Sequence, residues 1–160
     1  MITIRCETGD NVLVEGDTLE GSTLTGLNLH RALLDGQQLQ GADLSGTELR
    51  SAWIEGANFA QSNLSKASLA ACNASQANFS GAVLMEAIMR SGIFDKADFS
   101  GANLLNAKVE GARFIGSILD GADFRCEGIN QANLTGAISD SQTKWPHGFD
   151  PLTKGVIVRP

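Results

Sequence analysis

Large apolar residues recur at every fifth position of this sequence, from Leu19 to Leu134, with no interruption in the count. Of these 24 positions, only the one occupied by Ala74 lacks a large apolar side chain. A period of five fits neither a helix, whose faces repeat near 3.6 residues, nor a strand, whose faces alternate every two. It fits a short extended segment followed by a sharp corner.

The residue two positions before each large one is usually small, and 14 of these 24 residues are alanine. Residues two apart in an extended segment point to the same side, so both the small and the large side chain are predicted to point inward. Four repeats close a 20-residue square coil, and 24 repeats make about six coils. The sequence therefore predicts a four-sided parallel β-solenoid about 29 Å long, with coils about 4.8 Å apart.

Glycine follows the large residue by two positions in 12 of the 24 repeats. A type II turn requires positive φ at this position, which glycine adopts without steric cost. One corner column is nearly all glycine and is predicted to form type II turns: Gly21, Gly41, Gln61, Gly81, Gly101 and Gly121. Another column has few glycines and is predicted to use a different turn: Arg31, Ser51, Ala71, Ser91, Gly111 and Gln131.

The core pattern contains one irregularity, around Ala74. The small side chain of Ala74 leaves a gap that Phe94, one coil further on, is predicted to fill. Cys72 is large for its column, and Gly92 follows it one coil later. This exchange of volumes is what close packing of an interior requires.

The sequence predicts one domain with three parts: an N-terminal cap over 1–16, the solenoid over 17–136 and a C-terminal cap or tail over 137–160. The end of a solenoid must be covered for the protein to stay soluble. Trp145 and Phe149 are expected to lie over the last coil, and the alternative interpretation of the tail is a dimer interface. The N-terminal cap is predicted to use four β-branched residues: Ile2, Ile4, Val12 and Val14.

Units such as Ala-Asp-Leu-Ser-Gly at 42–46 and Ala-Asn-Leu-Thr-Gly at 132–136 resemble the pentapeptide-repeat family, over about residues 12–138. This resemblance implies an all-β fold, a right-handed quadrilateral parallel β-helix. Most members of the family lack an assigned activity. Some mimic DNA, bind DNA gyrase and protect it from drugs. The tail Trp-Pro-His-Gly-Phe-Asp-Pro at 145–151 resembles the segment that follows the repeats in cyanobacterial members.

Composition and charge exclude several other classes of protein. A net charge of −6 disfavours a protein that binds nucleic acid by neutralising phosphates. No apolar run reaches the roughly 18 residues of a membrane span, and the N-terminus lacks a signal-peptide pattern. The cysteines are odd in number and far apart, which fits free thiols rather than a disulfide or zinc framework. A soluble, cytoplasmic protein without a metal or other cofactor is expected.

Catalytic motifs are missing from the sequence, so the chain is expected not to be an enzyme. His30 and His147 have no cysteine or carboxylate partners at ligand spacing, and neither a nucleophile elbow nor a phosphate loop occurs. The acidic column Asp35, Glu55 and Asp95 is interrupted by Ser75. Arginines also interrupt the acidic surface, which favours an ordinary mixed-charge surface over a DNA mimic.

Outward-facing apolar residues are the candidate sites of protein interaction. One group comprises Val83, Met85, Ile88 and Leu105, and a second group comprises Leu33 and Trp53. Contiguous apolar patches indicate contacts with partners, although scattered apolar residues are common on ordinary surfaces. The hypothesis is a non-enzymatic structural or protein-interaction module with a protein partner, present as a monomer or homodimer. The alternative is a DNA-mimic inhibitor or protector of DNA gyrase.

Overall fold

A computed structural model describes all 160 residues. Its body is a ladder of parallel β-bridges between residues 20 positions apart, from the pair Thr23 and Asp43 to the pair Ile118 and Ile138, except that Lys108 bridges Glu127 at 19 positions. This ladder confirms the predicted all-β solenoid with four repeats per coil. The four faces are numbered 1 to 4 along the chain and are centred, in one coil, on Leu24, Leu29, Leu34 and Leu39.

The interior follows the five-residue pattern closely. All 24 large positions are buried, and the small positions are buried except at Asp17, Ser22, Leu27, Gln37 and Glu127. Phenylalanine rings stack along the axis on face 4, with centroids 5.2 Å apart from Phe59 to Phe79 and 5.0 Å apart from Phe79 to Phe99. Rings on face 3 meet this stack edge to face, which is a favourable geometry for aromatic pairs.

Phe94, which lies one coil after Ala74, takes up the space at Gly92. Its ring reaches over Gly92, where a Cβ atom would lie 2.6 Å from the ring and 3.2 Å from the carbonyl oxygen of Leu69. Glycine is therefore required at position 92, because the Phe94 ring occupies the space that a side chain there would need.

Gly92→Ala is expected to lower the free energy of unfolding by about 1–3 kcal/mol, the usual cost of overpacking a core. Urea denaturation of the purified protein measures this cost. The same substitution should cost less in a Phe94→Leu background, because leucine leaves room for the added methyl group. An equal cost in both backgrounds would show that the Phe94 ring is not the obstacle.

The prediction of a different turn in the column that begins with Arg31 is wrong for five of its six members, and only Gln131, in a 3-10 helix, departs from positive φ. Arg31, Ser51, Ala71 and Ser91 all have φ between 55° and 58°, and positive φ occurs at 22 of the 24 corners. The cause is the ladder, because the N–H of the second corner residue donates to a backbone carbonyl that follows about 20 residues later at 21 of the 24 corners, as from Ser51 to Ala70 at 2.9 Å. A different turn in one column would break these hydrogen bonds.

The coil departs from the five-residue phase once, between Phe124 and Ile129. The unbroken phase predicts an inward Glu127, but Glu127 is exposed and bridges Lys108, while Cys126 is buried in its place. An unpaired carboxylate is costly to bury, whereas a cysteine packs as a small apolar residue. Gly128, with φ 76°, and a 3-10 helix over Ile129–Gln131 restore the register.

The N-terminal cap is an antiparallel hairpin of β1 (Ile2–Ile4) and β2 (Val12–Val14). Ile4 and Val14 are buried, and Ile2 and Val12 pack against the core, as predicted. The chain after β1 forms the rung below face 3, where an antiparallel bridge joins Cys6 to Ala32.

At the other end, β3 (Ile138–Ser139) pairs in parallel with β4 (Ile157–Val158). A second 3-10 helix, Pro151–Lys154, precedes β4. Trp145 lies over the Phe124 ring, with centroids 5.6 Å apart, and Phe149 packs on Trp145 at 5.2 Å. The predicted cover over the last coil is confirmed. Neither of the short helices has the length or apolar character needed to cross a membrane.

Candidate functional site

Leu33 and Trp53 are the only exposed large apolar side chains within residues 17–136, with exposed fractions of 44% and 41%. They form a parallel bridge on face 3, so their side chains lie next to each other on adjacent coils. The strand position before each large residue points outward, which directs both side chains to solvent while Leu34 and Ile54 fill the core.

A groove of about 370 Å³ opens beside Trp53. Its apolar lining comprises Ala52, Trp53, Ala71, Cys72 and Ile93, and it extends from the rung of Arg31 to the rung of Ile93. This groove, referred to below as the Trp53 groove, follows the corner between faces 2 and 3 and the adjoining part of face 3.

Small side chains at the corner create the depression. Ala70 and Ala71 form the corner in one coil, while the larger Arg50 and Arg90 occupy the position of Ala70 one coil below and one coil above. On face 3, Asn73 separates the larger Trp53 from Ile93 in the outward column. Of these residues, Ala71, Trp53, Asn73 and Ile93 line the Trp53 groove, whereas Arg50, Ala70 and Arg90 lie outside its lining.

Arginines are concentrated around the Trp53 groove. Five of the seven arginines in the chain lie at the corner between faces 2 and 3, on face 3 or on the N-terminal rung below it: Arg5, Arg31, Arg50, Arg90 and Arg113. Three of them are held in ion pairs, Arg31 with Glu7 at 2.8 Å, Arg90 with Glu110 at 3.0 Å, and Arg113 with Asp95. The other two have no carboxylate partner.

The ion pairs change the acidity of their members. The guanidinium of Arg90 donates to Glu110, and this hydrogen bond holds the pKa of the Glu110 carboxyl below its usual value. The same contact raises the pKa of Arg90. Both members of the Arg90–Glu110 pair are exposed, at 49% and 37% of their side-chain surface, so the pair fixes side-chain positions more than it stabilises the fold.

Cys72 contributes to the lining of the Trp53 groove but is 1% exposed. Burial raises the pKa of its thiol well above the usual range. The thiolate is the nucleophilic form of cysteine, so Cys72 acts here as a packed apolar residue and not as a reactive group.

The repeat body matches a model of pentapeptide repeats, in eight copies, over residues 18–50, 54–90, 62–101 and 93–125. This match covers more than half of the chain. The chain belongs to the pentapeptide repeat family. Proteins of this family form a β-helical scaffold and are generally without enzymatic activity. No curated protein matches the sequence.

Solved pentapeptide repeat proteins share this fold. The chain is similar to Rfr23 of the cyanobacterium Cyanothece 51142, with 23% identity over 78% of this chain and 88% of that one, and a TM-score of 0.54. A protein of the Arabidopsis thaliana thylakoid lumen is 29% identical over 66% and 67% of the two chains, with a TM-score of 0.42. QnrB1, a plasmid-mediated fluoroquinolone resistance protein, is 20% identical over 91% and 86%, with a TM-score of 0.49.

The second apolar group in this pentapeptide repeat protein lies apart from the Trp53 groove. Met85 and Leu105 are stacked at the corner between faces 1 and 2, where the N–H of Glu86 donates to the carbonyl oxygen of Leu105 at 3.0 Å. Val83 and Ile88 flank them on the two faces, and all four apolar side chains are half-buried. The structure thus groups these four residues and separates them from Leu33 and Trp53.

The sequence pattern did not indicate a third outward column of apolar residues. Ile118, Ile138 and Ile157 are joined by parallel bridges and point outward on face 4 at the C-terminal end. Ile118 and Ile138 are 20 residues apart, so the coil length could have revealed them. Ile157 could not have been placed, because the tail has no repeat.

The acidic columns are divided by arginines. Asp35 and Glu55 lie at the corner between faces 3 and 4, where the Asp35 carboxylate accepts the N–H of Glu55 at 2.8 Å. Four other carboxylates of the rod are ion-paired, as Asp95 with Arg113, Glu110 with Arg90, Asp120 with Arg159 and Asp123 with Arg125. Such pairing does not favour a surface that imitates the continuous charge of DNA.

Groups with catalytic or metal-binding chemistry are not brought together. His30 borders the Trp53 groove and His147 lies in the tail. No cluster of three or more histidine, cysteine, aspartate or glutamate side chains occurs with the geometry of a metal site.

Proposed function

We propose that this chain is a non-enzymatic protein-binding rod whose contact surface is the Trp53 groove. The observation that carries the proposal is the exposure of Trp53 and Leu33 beside this groove, on a body that otherwise buries its large apolar residues or leaves them half-covered. Tryptophan in a partly enclosed apolar surface is typical of residues that dominate binding energy at protein interfaces.

The regular backbone supports a scaffold in preference to an enzyme. Every large inward side chain is used in packing, so the interior offers no cavity for a substrate, and the outward side chains are set on a rigid lattice about 4.8 Å apart. The ionisable groups that line the Trp53 groove are His30, Glu7, Arg31 and the buried thiol of Cys72, and Glu7 is paired with Arg31.

The half-buried group around Met85 and Leu105 is the other candidate contact surface. Its side chains are partly covered by their neighbours on both faces, so binding there would remove less apolar area from water. We place the protein in the cytoplasm, because its three cysteines are free thiols, and we expect it to be a monomer or homodimer.

Affinity capture from the native cell tests the proposed function. Immobilised wild-type protein and the Leu13→Ser variant, which changes an exposed leucine on the N-terminal hairpin, should retain the same partner. Trp53→Ser should lose it while keeping the wild-type circular dichroism spectrum. Identical partners for wild type and Trp53→Ser would contradict the proposal, and loss only in Met85→Glu with Leu105→Glu would move the site to the other corner.

A further inference from the structure

Face 3 has unpaired charges of opposite sign on its two corners. In the coil of Trp53, Arg50 lies at the corner before the strand and Glu55 at the corner after it. Asp35 lies at the same corner as Glu55, one coil earlier. All three side chains are exposed, and none of them takes part in an ion pair of the chain. The guanidinium of Arg50 is free, because Glu48 accepts only the backbone N–H of Arg50.

Other charges on and around this face cancel within the chain. Arg31 pairs with Glu7, and two further pairs lie at later coils, Arg90 with Glu110 and Arg113 with Asp95. In the coils of Leu33 and Trp53, the charges that remain on face 3 and its corners are therefore Arg50 on one side and Asp35 with Glu55 on the other.

An apolar strip separates these two corners. Leu33 and Trp53 form it, side by side on adjacent coils and with exposed fractions of 44% and 41%. An apolar centre with a cation on one border and carboxylates on the other is self-complementary. Such a surface suits an isologous interface, in which both partners use the same patch.

A two-fold axis parallel to the rod matches face 3 with itself. Two copies related by this axis lie side by side, point the same way and set the basic corner of each against the acidic corner of the other. Arg50 and Glu55 belong to one coil, so they meet at the same height, twice in the dimer. Leu33 and Trp53 lie near the axis, where each packs against its own copy.

The Trp53 groove meets a complementary side chain in this arrangement. Ala71 lines the groove at the corner between faces 2 and 3. Gln76, which is exposed and uncharged, lies at the opposite corner of the same coil. The axis places Gln76 of one copy opposite Ala71 of the other, so a long side chain faces a short one.

Charge also selects the orientation and limits the size of the contact. Turning the second copy end for end would set the corner of Arg50 against the same corner of its partner, and like charges disfavour that arrangement. In the parallel arrangement Arg5 and Arg113, at the two ends of the outward column, meet their own copies. The contact is therefore confined to the rungs between them, and so small an interface is typical of weak, transient association.

We propose that the partner of the Trp53 groove is a second copy of this chain, bound side by side and in parallel through face 3. The proposal rests on the proposed function and specifies the partner. Arg50 of each copy pairs with Glu55 of the other, on both sides of the apolar strip.

Two charge reversals test this pairing in a way that misfolding cannot imitate. Arg50→Glu and Glu55→Arg each place like charges across the axis. Each should weaken dimerisation at least about tenfold in sedimentation equilibrium, from a wild-type Kd on the order of 100 µM. An equal mixture of the two variants should dimerise with about the wild-type affinity, because each variant then supplies the charge that the other lacks.

Three further measurements locate the contact. Trp53→Ser should weaken dimerisation about tenfold or more and keep the wild-type circular dichroism spectrum. Lys66→Glu reverses an exposed, unpaired charge at the corner between faces 1 and 2 and should leave dimerisation unchanged. Higher salt should weaken the wild-type dimer, because its ion pairs lie at the exposed border of the interface.

The inference is overturned by a wild-type chain that stays monomeric at about 1 mM. It is equally overturned by a dimer that persists in both reversals, or by a mixture of the two reversals that does not associate. If cellular capture retains another protein through Trp53 while the purified chain is monomeric, the proposed function stands and only the identity of the partner is wrong. A monomeric chain whose capture does not depend on Trp53 would remove the proposed function as well.

Discussion

Replacement of Phe99 by alanine is expected to lower the free energy of unfolding by about 3–5 kcal/mol, the largest effect of any single change considered. Phe99 is fully buried and lies at the centre of the aromatic core. Its ring stacks on Phe79 at 5.0 Å and meets Phe94 and Phe114 edge to face, at 5.8 Å and 5.6 Å. Removal of the ring leaves a cavity that rigidly laddered neighbours cannot close.

Urea denaturation followed by circular dichroism measures this loss. Phe99→Leu is the matched control, since the same column contains leucine at Leu39 and Leu119. Leucine fits the coil at those positions, so the control should cost less than half of the alanine variant. A loss below about 1 kcal/mol for Phe99→Ala would show that the aromatic ladder does not hold the rod together.

The five-residue phase predicted the inward side chains because the core repeats with the coil. Once Leu19 and Leu24 are placed inside, the backbone ladder leaves later repeats no alternative register. The pattern gave a wrong inward residue where burying a neighbouring residue cost less free energy than burying the residue in phase. Exposure of Glu127 and burial of Cys126 avoid an unpaired buried charge, and neither residue alone reveals that the coil will shift.

At the corners, the residue type does not decide the backbone conformation. Glycine content predicted two kinds of turn, but Arg31 and Ala71 adopt positive φ just as Gly21 does. A left-handed conformation costs a residue with a Cβ about 1–2 kcal/mol. The hydrogen bonds that join each corner to the next coil offset that cost, so stacking decides the turn and the residue type only modulates its energy.

The sequence predicted the two exposed apolar residues of the candidate site but not the groove beside them. Leu33 and Trp53 stood out because they are apolar in an outward column. The Trp53 groove itself depends on the small side chains of Ser51 and Ala71 at the corner beside Trp53. Outward positions follow no packing rule, so a depression there becomes apparent only when all neighbouring coils are placed together.

Trp145→Ala is expected to open the C-terminal end of the rod. Trp145 covers Phe124, and Phe149 packs on Trp145. The side chain is half-buried, so the loss should be about 2–3 kcal/mol, below the cost for a fully buried aromatic residue. The effect should be local, because each coil contacts only its neighbours.

Hydrogen exchange resolves this local opening. The N–H of Phe124 donates to Lys144 at 2.7 Å, and the N–H of Lys144 donates to Ala122 at 2.9 Å. Both amides should exchange faster in Trp145→Ala, whereas the amide of Leu64, three coils away, should keep its wild-type protection. Trp145→Phe retains an aromatic cover and should preserve both amides. Unchanged protection of Phe124 and Lys144 in the alanine variant would mean that the tail can be lost without opening the core. The functional role of the tail would then lie in contacts outside this chain.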